Sequence, residues 1–191
     1  MKDNQNFESV AIQGHKGAYT DVMASRILPD LRVIYMESFE DVFEAFMAQE
    51  LRHCVLPFRN SIAGDVELPR AFLDTVSVRS LPLLRQDHSL PIHHCLLGCL
   101  GADILDIKTV FSHYMAIKQC GAFLDRHNLM SSDRYGDTAK SAKCVADRQD
   151  KSIAAIASQE CAEFYGLQVL ATNIANNPDN VTHFAHLAWQ I

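Results

Sequence analysis

The chain has 191 residues, of which 48% are hydrophobic and 21% are charged, and it carries a formal net charge of −6. This composition is typical of a folded globular protein and excludes a disordered chain. The excess of acidic residues argues against a nucleic acid or an anionic membrane as the partner, because both bind basic surfaces.

Neither a membrane span nor a signal peptide is expected from the apolar segments. The longest of them, such as Cys95–Leu100 and Ile153–Ala157, are far shorter than the ~20 residues that a transmembrane helix needs. The first ten residues, MKDNQNFESV, lack the apolar core of a signal peptide. We therefore expect a cytoplasmic protein without a membrane partner.

The first part of the chain alternates strands and helices. SVAIQG reads as a strand that ends at Gly14, and the next segment has helical spacing. Ser38 is expected to cap an amphipathic helix over SFEDVFEAFMAQE. The other predicted elements here are the strands RVIYM and HCVLPF, the polar turn RNSIAGDVE and the helix LPRAFLDTV.

A second series of elements begins at Ser80 with a long extended stretch that runs to Leu100. Gly166 is placed to end the helix before it, because glycine accepts the left-handed conformation. The predicted elements that follow the extended stretch are the strands TVFSH, SIAAIAS and LQVLATNI and the helices YMAIKQCGAFLDRHN, DTAKSAKCVADR and QECAEFYG. A turn-rich loop at Asn176–Asn180 leads into the last strand, which starts at Thr182.

This alternation predicts an α/β fold with two lobes, each built on a mainly parallel sheet. Residues 1–79 together with 182–191 are expected to form the first lobe, and residues 80–181 the second. Polar groups follow many of the strands, as in GHKGAYT, RNSIAG, SHYMA, GDTAKSA, ASQE and NVTHF. Ligands of parallel sheets bind at such strand ends, so the pattern favours a site for a small carboxylate.

The six cysteines form no CxxC pair, which indicates reduced and mostly buried thiols. A zinc site at His93, His94, Cys95 and Cys99 is disfavoured, because these residues lie on a predicted strand and not on two separated turns. No metal ion is expected.

The polar segments, taken in order, resemble the prephenate dehydratase family. The resemblance rests on LPFRNSIAGDV, LPIHHCLLG, GDTAKSAK, AAIAS, YGLQVLATNI and NVTHF, which span nearly the whole chain. It implies a two-lobed fold similar to type II periplasmic binding proteins, with the active site in the cleft between the lobes, and a homodimer. It also implies a carbon–oxygen lyase that converts prephenate to phenylpyruvate in phenylalanine biosynthesis without a cofactor.

The resemblance also assigns site residues. Thr182 matches the catalytic threonine, whose hydroxyl would donate a hydrogen bond to the departing hydroxide. The expected substrate-binding residues are Arg59, Asn60, Ser61, Ser112, Thr138, Ala139, His183 and Phe184. Taken one at a time, several of these are more typical of turns and helix caps than of a binding site, and only the ordered set favours a functional interpretation.

Three positions depart from the family pattern. His183 stands where the family has Arg, Arg59 where it has Glu, and Tyr114 where it has Pro. Histidine is largely neutral at pH 7 and cannot clamp a carboxylate as a guanidinium does, so Arg59 is expected to compensate if it lies beside His183.

These departures leave other activities open. A prephenate decarboxylase and a non-catalytic carboxylate-binding protein are the alternatives, and arogenate is a second possible substrate. An ACT regulatory domain often follows the catalytic part in this family. Because the sequence ends at Ile191, we expect no such domain and no regulation by phenylalanine.

Overall fold

The computed structural model describes residues 8–79 and 81–190. They form two compact units. The first unit takes the chain up to Gly14, Tyr19–Pro91 and the residues from Val181 onward, and the second takes His15–Ala18 and Ile92–Asn180. No helix in the described part of the chain has the length and apolar character needed to cross a membrane.

The first unit is built on a six-stranded sheet. The strands are β1 Ser9–Gln13, β2 Arg32–Met36, β3 His53–Asn60, β4 Gly64–Asp65, β5 Leu83–Pro91 and β11 Val181–Trp189. Their order is β2-β1-β3-β11-β5, with β4 paired to β3. The helices are α1 Tyr19–Ile27, α2 Phe39–Met47 and α3 Glu67–Val78.

Helix α2 shows how the sequence determines this unit. Ser38 caps it as predicted, and the side chain of Asp41 completes a capping box. Phe46 is fully buried in a core that also contains Leu73 of α3 and Leu187 of β11. Burial of side chains of this size contributes about 1.5–3 kcal/mol each to stability.

The second unit is built on a five-stranded sheet in the order β10-β6-β9-β7-β8. The strands are β6 Cys95–Gly98, β7 Thr109–Phe111, β8 Met130–Ser132, β9 Ile153–Ala157 and β10 Gln168–Ala171. The helices are α4 Tyr114–Gln119, α5 Gly121–Arg126, α6 Thr138–Arg148 and α7 Gln159–Tyr165. Gly166 ends α7 with φ at 65°, as the sequence predicted.

The α/β class is confirmed, but the prediction of mainly parallel sheets is wrong. Strand β1 pairs in parallel with β2 and β3, whereas β11 runs antiparallel to both β3 and β5. In the second unit β7 is parallel to β8 and β9, and β6 is antiparallel to β9 and β10. Both sheets are mixed, because strands that enter without a helical crossover are free to run antiparallel.

The division between the units also differs from the predicted one. Ser80, the predicted boundary, lies outside the described residues, but the following strand β5 still belongs to the first unit. The reason is its antiparallel pairing with β11 along its whole length, from Leu83↔Trp189 to Pro91↔Val181. A pairing between segments so distant in sequence leaves no local signal in either of them.

Candidate active site

Thr182 and Asn60 lie opposite each other on β11 and β3. The Asn60 Nδ2 group donates a hydrogen bond to Thr182 Oγ1 at 3.0 Å and another to the Val181 carbonyl oxygen at 3.3 Å. Two residues that the sequence predicted for the site are therefore in direct contact. The contact occurs on one face of the sheet, at the last residue of β3 and near the start of β11.

The orientation of the Asn60 amide follows from its other contacts. Its Oδ1 atom accepts hydrogen bonds from the backbone N–H groups of Ile62 at 3.0 Å and Ala63 at 2.9 Å. A flipped amide would place its NH₂ group against these two donors, so Nδ2 must face β11. The side chain thus forms the turn after β3 and at the same time donates to Thr182.

Ser61 fixes the backbone directly before Thr182. Its N–H donates to the Val181 carbonyl at 2.8 Å, and its hydroxyl oxygen accepts from the Val181 N–H at 2.9 Å. These two hydrogen bonds form a closed ring with the neighbouring backbone. Ser61 therefore positions the segment that carries Thr182.

The Thr182 hydroxyl is set up to donate. One of its lone pairs is occupied by the Asn60 amide, and none of the described residues accepts its proton. A hydroxyl that accepts a hydrogen bond also becomes a better donor, because hydrogen bonds in a chain polarise one another. The half-buried Thr182 side chain can therefore offer its proton to a bound molecule.

Arg59 and His183 are direct cross-strand neighbours, as the compensation hypothesis requires. They lie on the other face of the sheet from Thr182, because adjacent residues of a strand point in opposite directions. His183 Nδ1 is 2.9 Å from Ser89 Oγ, and Arg59 Nε is 4.0 Å from an Asp65 carboxylate oxygen. A direct clamp by this pair on a molecule held at the Thr182 hydroxyl is not favoured.

Because the pair lies on the other face of the sheet from Thr182, we expect only a small coupling energy between positions 59 and 183 in a double-mutant cycle. Arg59→Glu combined with His183→Arg builds a cross-strand ion pair of the family type on an exposed surface. We expect a coupling of about 0.2–1 kcal/mol in the free energy of unfolding, as for other cross-strand pairs. Chemical denaturation of the two single mutants and the double mutant measures it. If the two changes couple strongly in KM but not in the free energy of unfolding, the pair instead contacts the substrate.

Phe184, predicted to bind substrate, is almost completely buried in the first unit. Its side chain alternates with that of His183 and lies on the Thr182 face of β11. It therefore contributes to the packing of the first unit.

Ser112 of the second unit acts as a structural tie. It is fully buried, its hydroxyl donates to the Ile156 carbonyl of β9 at 2.7 Å, and its N–H donates to the Ser132 carbonyl at 3.2 Å. The hydroxyl proton is already used within the unit. The predicted direct contact of this side chain with substrate is therefore not supported.

Thr138 and Ala139 open helix α6, but neither is its cap. Asp137 takes that position, and its Oδ1 accepts from the Lys140 N–H at 2.8 Å. Ala139 is fully buried in the core, so only its backbone can contact a ligand. His15 lies beside the same helix end, with Nδ1 at 3.5 Å from the second Asp137 oxygen. The sequence had left His15 unassigned.

The His15–Ala18 loop is held in the second unit through its carbonyl groups. Gly17 O accepts from Ser158 Oγ at 2.7 Å and from Cys161 Sγ at 3.3 Å, and Lys16 O accepts from Tyr165 Oη at 2.7 Å. Gly17 has φ at 85°, and a Cβ atom there would lie 2.7 Å from Cys161 Sγ. The position therefore requires glycine.

The asparagine-rich loop before Thr182 is fixed by its own amides. Asn180 is buried and donates to Gln119 Oε1 at 3.0 Å, and the same oxygen lies 2.9 Å from Nε2 of buried His94. The Asn176 N–H donates to the Gln119 carbonyl at 2.7 Å, and its Oδ1 accepts from the Ala122 N–H at 3.0 Å. Gln119 was missed from the sequence, because a glutamine near the end of a helix carries no distinctive signal.

A pair of histidines also lies on the Thr182 face of the sheet. His186 of β11 and His53 of β3 are 3.0 Å apart at Nε2 and Nδ1. Burial, reinforced by the neighbouring His53 and His88, lowers the pKa of His186 to about 4 from an ordinary value of 6.5. Burial likewise lowers the pKa of His53. The N–H group of one neutral imidazole is sufficient for this hydrogen bond, so the addition of a proton that would charge the pair is disfavoured.

The histidine pair should make the protein sensitive to acid. Between pH 6.5 and pH 4 the unfolded chain binds a proton at position 186 that the folded chain does not, so stability falls as the pH falls. We expect His186→Gln to retain about 2–3 kcal/mol more of its pH 7 stability at pH 4 than the wild type does. Chemical denaturation at both pH values tests this, with exposed His127→Gln as the control. An equal loss in wild type and His186→Gln would contradict it.

The described residues bring no three His, Cys, Asp or Glu side chains together as a possible metal site. In the region where zinc was considered, Cys95 and Cys99 are buried and His94 contacts Gln119. Burial raises the pKa of the Cys95 thiol and raises that of Cys161 to about 12. These thiols are poor ligands and poor nucleophiles in this state.

Comparison with known proteins identifies the family. The family model for prephenate dehydratase matches residues 10–190. The chain belongs to the prephenate dehydratase family. Arogenate dehydratase 2 of Petunia hybrida is 37% identical over 179 residues, which cover 94% of this chain and 44% of that protein. The chain thus spans less than half the length of this curated relative.

Two solved structures share the fold across almost the whole chain. The prephenate dehydratase of Arthrobacter aurescens, solved in complex with L-Phe, has a TM-score of 0.82 and 27% identity, covering 96% of this chain and 61% of that one. GqqA, described as a novel type of quorum quenching acylase, has the same TM-score and identity and covers 95% and 64%. The family that the ordered motifs indicated from the sequence is confirmed.

Proposed function

We propose that this chain is a carbon–oxygen lyase that converts prephenate to phenylpyruvate, with Thr182 as the hydrogen-bond donor to the leaving hydroxide. Membership of the family supports the reaction. The observation that carries the role of Thr182 is its contact with Asn60, which occupies the oxygen as an acceptor and leaves the proton for a ligand. Neither a metal ion nor an organic cofactor is needed for this chemistry.

The reaction requires the protein to position the substrate and to place one hydrogen-bond donor near the departing oxygen. The bond between the ring and its carboxylate breaks and releases CO₂, and its electron pair enters the ring as the C–O bond breaks and hydroxide departs. The gain of aromaticity drives both events. A donor near the departing oxygen stabilises the negative charge that develops there. It can also give its proton to the departing hydroxide and afterwards take a proton back from water.

We propose that the start of α6, within the second unit, binds a carboxylate, as the sequence predicted for Thr138 and Ala139. The backbone N–H groups of Thr138 and Ala139 lie in the first turn of α6, where the helix dipole favours an anion. The Asp137 carboxylate already occupies part of that end, so a cation nearby would be needed to offset its charge. His15, beside Asp137, can provide that cation when it is protonated.

An assay with prephenate tests the proposal against its rivals. Phenylpyruvate, followed by its absorbance in alkali, is the expected product, and Thr182→Ala should form it far more slowly. Release of CO₂ without phenylpyruvate would support a decarboxylase, and saturable binding without turnover would support a binding protein. Faster conversion of arogenate to phenylalanine would make arogenate the substrate, as the name of the Petunia relative suggests.

An acylase activity like that in the description of GqqA is less well supported. An acylase that uses a threonine nucleophile needs a neighbouring base to take the hydroxyl proton. Among the described residues only the Asn60 amide forms a hydrogen bond with Thr182 Oγ1, and that amide is a donor. The cytoplasmic location and the homodimer expected from the sequence stay predictions.

A further inference from the structure

Strand β5 lies at the edge of the first unit's sheet. It pairs with β11 on one side, and none of the described strands pairs with it on the other. Four consecutive residues in its first half, Leu84–Asp87, are exposed. A long, open edge of this kind is a template for pairing with another strand.

The hydrogen-bonding pattern identifies the main-chain groups that are open. The Gln190 N–H donates to the Pro82 carbonyl, so the even-numbered residue 82 directs its backbone groups toward β11. In an antiparallel pair these directions alternate along the strand. Leu83, Arg85, Asp87 and Ser89 therefore direct their N–H and C=O groups outward.

The charges on the open edge of β5 match those of a second β5 strand in one antiparallel register. If a second β5 pairs antiparallel about Gln86, Arg85 lies opposite Asp87 of the second copy, and Asp87 lies opposite its Arg85. This register also pairs odd residues with odd residues, as the open hydrogen-bonding groups require. Shifting the centre to residue 87 would oppose two aspartates, and shifting it to residue 85 would oppose two arginines, both of which are destabilising.

We propose that β5 is a self-association surface that pairs antiparallel with β5 of a second copy of this chain, centred on Gln86. The exposed Leu84 side chain would then lie beside His88 of the second copy and lose contact with water. The proposal specifies the interface of the predicted homodimer and does not depend on the proposed enzymatic activity.

The contacts within one chain are compatible with this pairing. Arg85 Nε and Nη2 bind the two carboxylate oxygens of Asp87 at 2.8 and 3.0 Å, and the guanidinium lies 5.5 Å from the centre of the Phe58 ring. Both charged groups are therefore held on one face of β5. Two copies would bring the pairs together as a four-charge network of alternating sign, which is more stabilising than an isolated surface pair.

Sedimentation velocity over a concentration series up to about 100 µM tests the surface, because weak dimers are populated in this range. We expect the wild type to dimerise and Asp87→Arg to raise the dimer Kd at least about tenfold, since Arg85 would then face an arginine. The double swap Arg85→Asp with Asp87→Arg should restore dimerisation. Asp74→Arg, an exposed change on α3, is the matched control. A monomeric wild type, or a dimer unaffected by Asp87→Arg, would overturn the proposal.

A cysteine cross-link tests the register. Residues at the centre of such a pair have Cα atoms about 4.5–5.5 Å apart, which is within the range for a disulfide. Gln86→Cys should therefore form a covalent dimer under mild oxidation, as seen on a non-reducing gel. Leu84→Cys, which would face His88, and the wild type with its half-buried Cys144 should not. Cross-linking at position 84 but not at 86 would show that the register is wrong.

Discussion

Replacing Thr182 with alanine should lower kcat by about 10²–10⁴ and change KM only a few-fold, because the lost interaction forms mainly in the transition state. Thr182→Ser keeps the hydroxyl and should retain most of the activity. The measurement is the rate of phenylpyruvate formation at saturating and limiting prephenate.

The structural cost of Thr182→Ala should be small by comparison. The mutant loses one hydrogen bond, from Asn60 Nδ2, which corresponds to about 1 kcal/mol of stability. Thermal unfolding of the mutant separates this cost from the loss of rate. Unchanged turnover in a folded Thr182→Ala protein would exclude Thr182 from the reaction.

The sequence revealed those features of the fold that short segments determine by themselves. Ser38 and Asp41 are three residues apart and form the cap of α2 without help from distant groups. Gly166 ends α7 for an equally local reason. The last strand was also predicted, because the alternation after Asn180 is a period-two pattern that a strand produces.

Features that depend on contacts between residues far apart in sequence could not be predicted from short segments. The mixed character of the sheets and the place of β5 in the first unit follow from its pairing with β11, almost a hundred residues away in sequence. The helix predicted over DTAKSAKCVADR begins one residue later, at Thr138, because Asp137 is its N-cap and has an extended backbone. The part that Asn60 plays toward Thr182 depends on the orientation of one amide, which no sequence pattern encodes.

The Asn60 amide gives a second large effect, which one isosteric change tests. In Asn60→Asp, one carboxylate oxygen still accepts the Ile62 and Ala63 N–H groups and keeps the turn. The other oxygen replaces Nδ2 and can only accept, so the bond to the Val181 carbonyl is lost. The Thr182 hydroxyl must then donate to this oxygen, and its proton is no longer available to the substrate. We expect kcat to fall by about 10²-fold or more.

The double mutant decides whether the two residues act as one unit. If Asn60 acts through the Thr182 hydroxyl, Asn60→Asp should add little to the loss already caused by Thr182→Ala, because the group that it affects is gone. Asn177→Asp is a matched control for the added charge, since Asn177 Oδ1 only accepts the Asp179 N–H, and it should change kcat less than about twofold. If the losses from Asn60→Asp and Thr182→Ala instead multiply, Asn60 does not act through the Thr182 hydroxyl, because an effect through the hydroxyl cannot survive its removal.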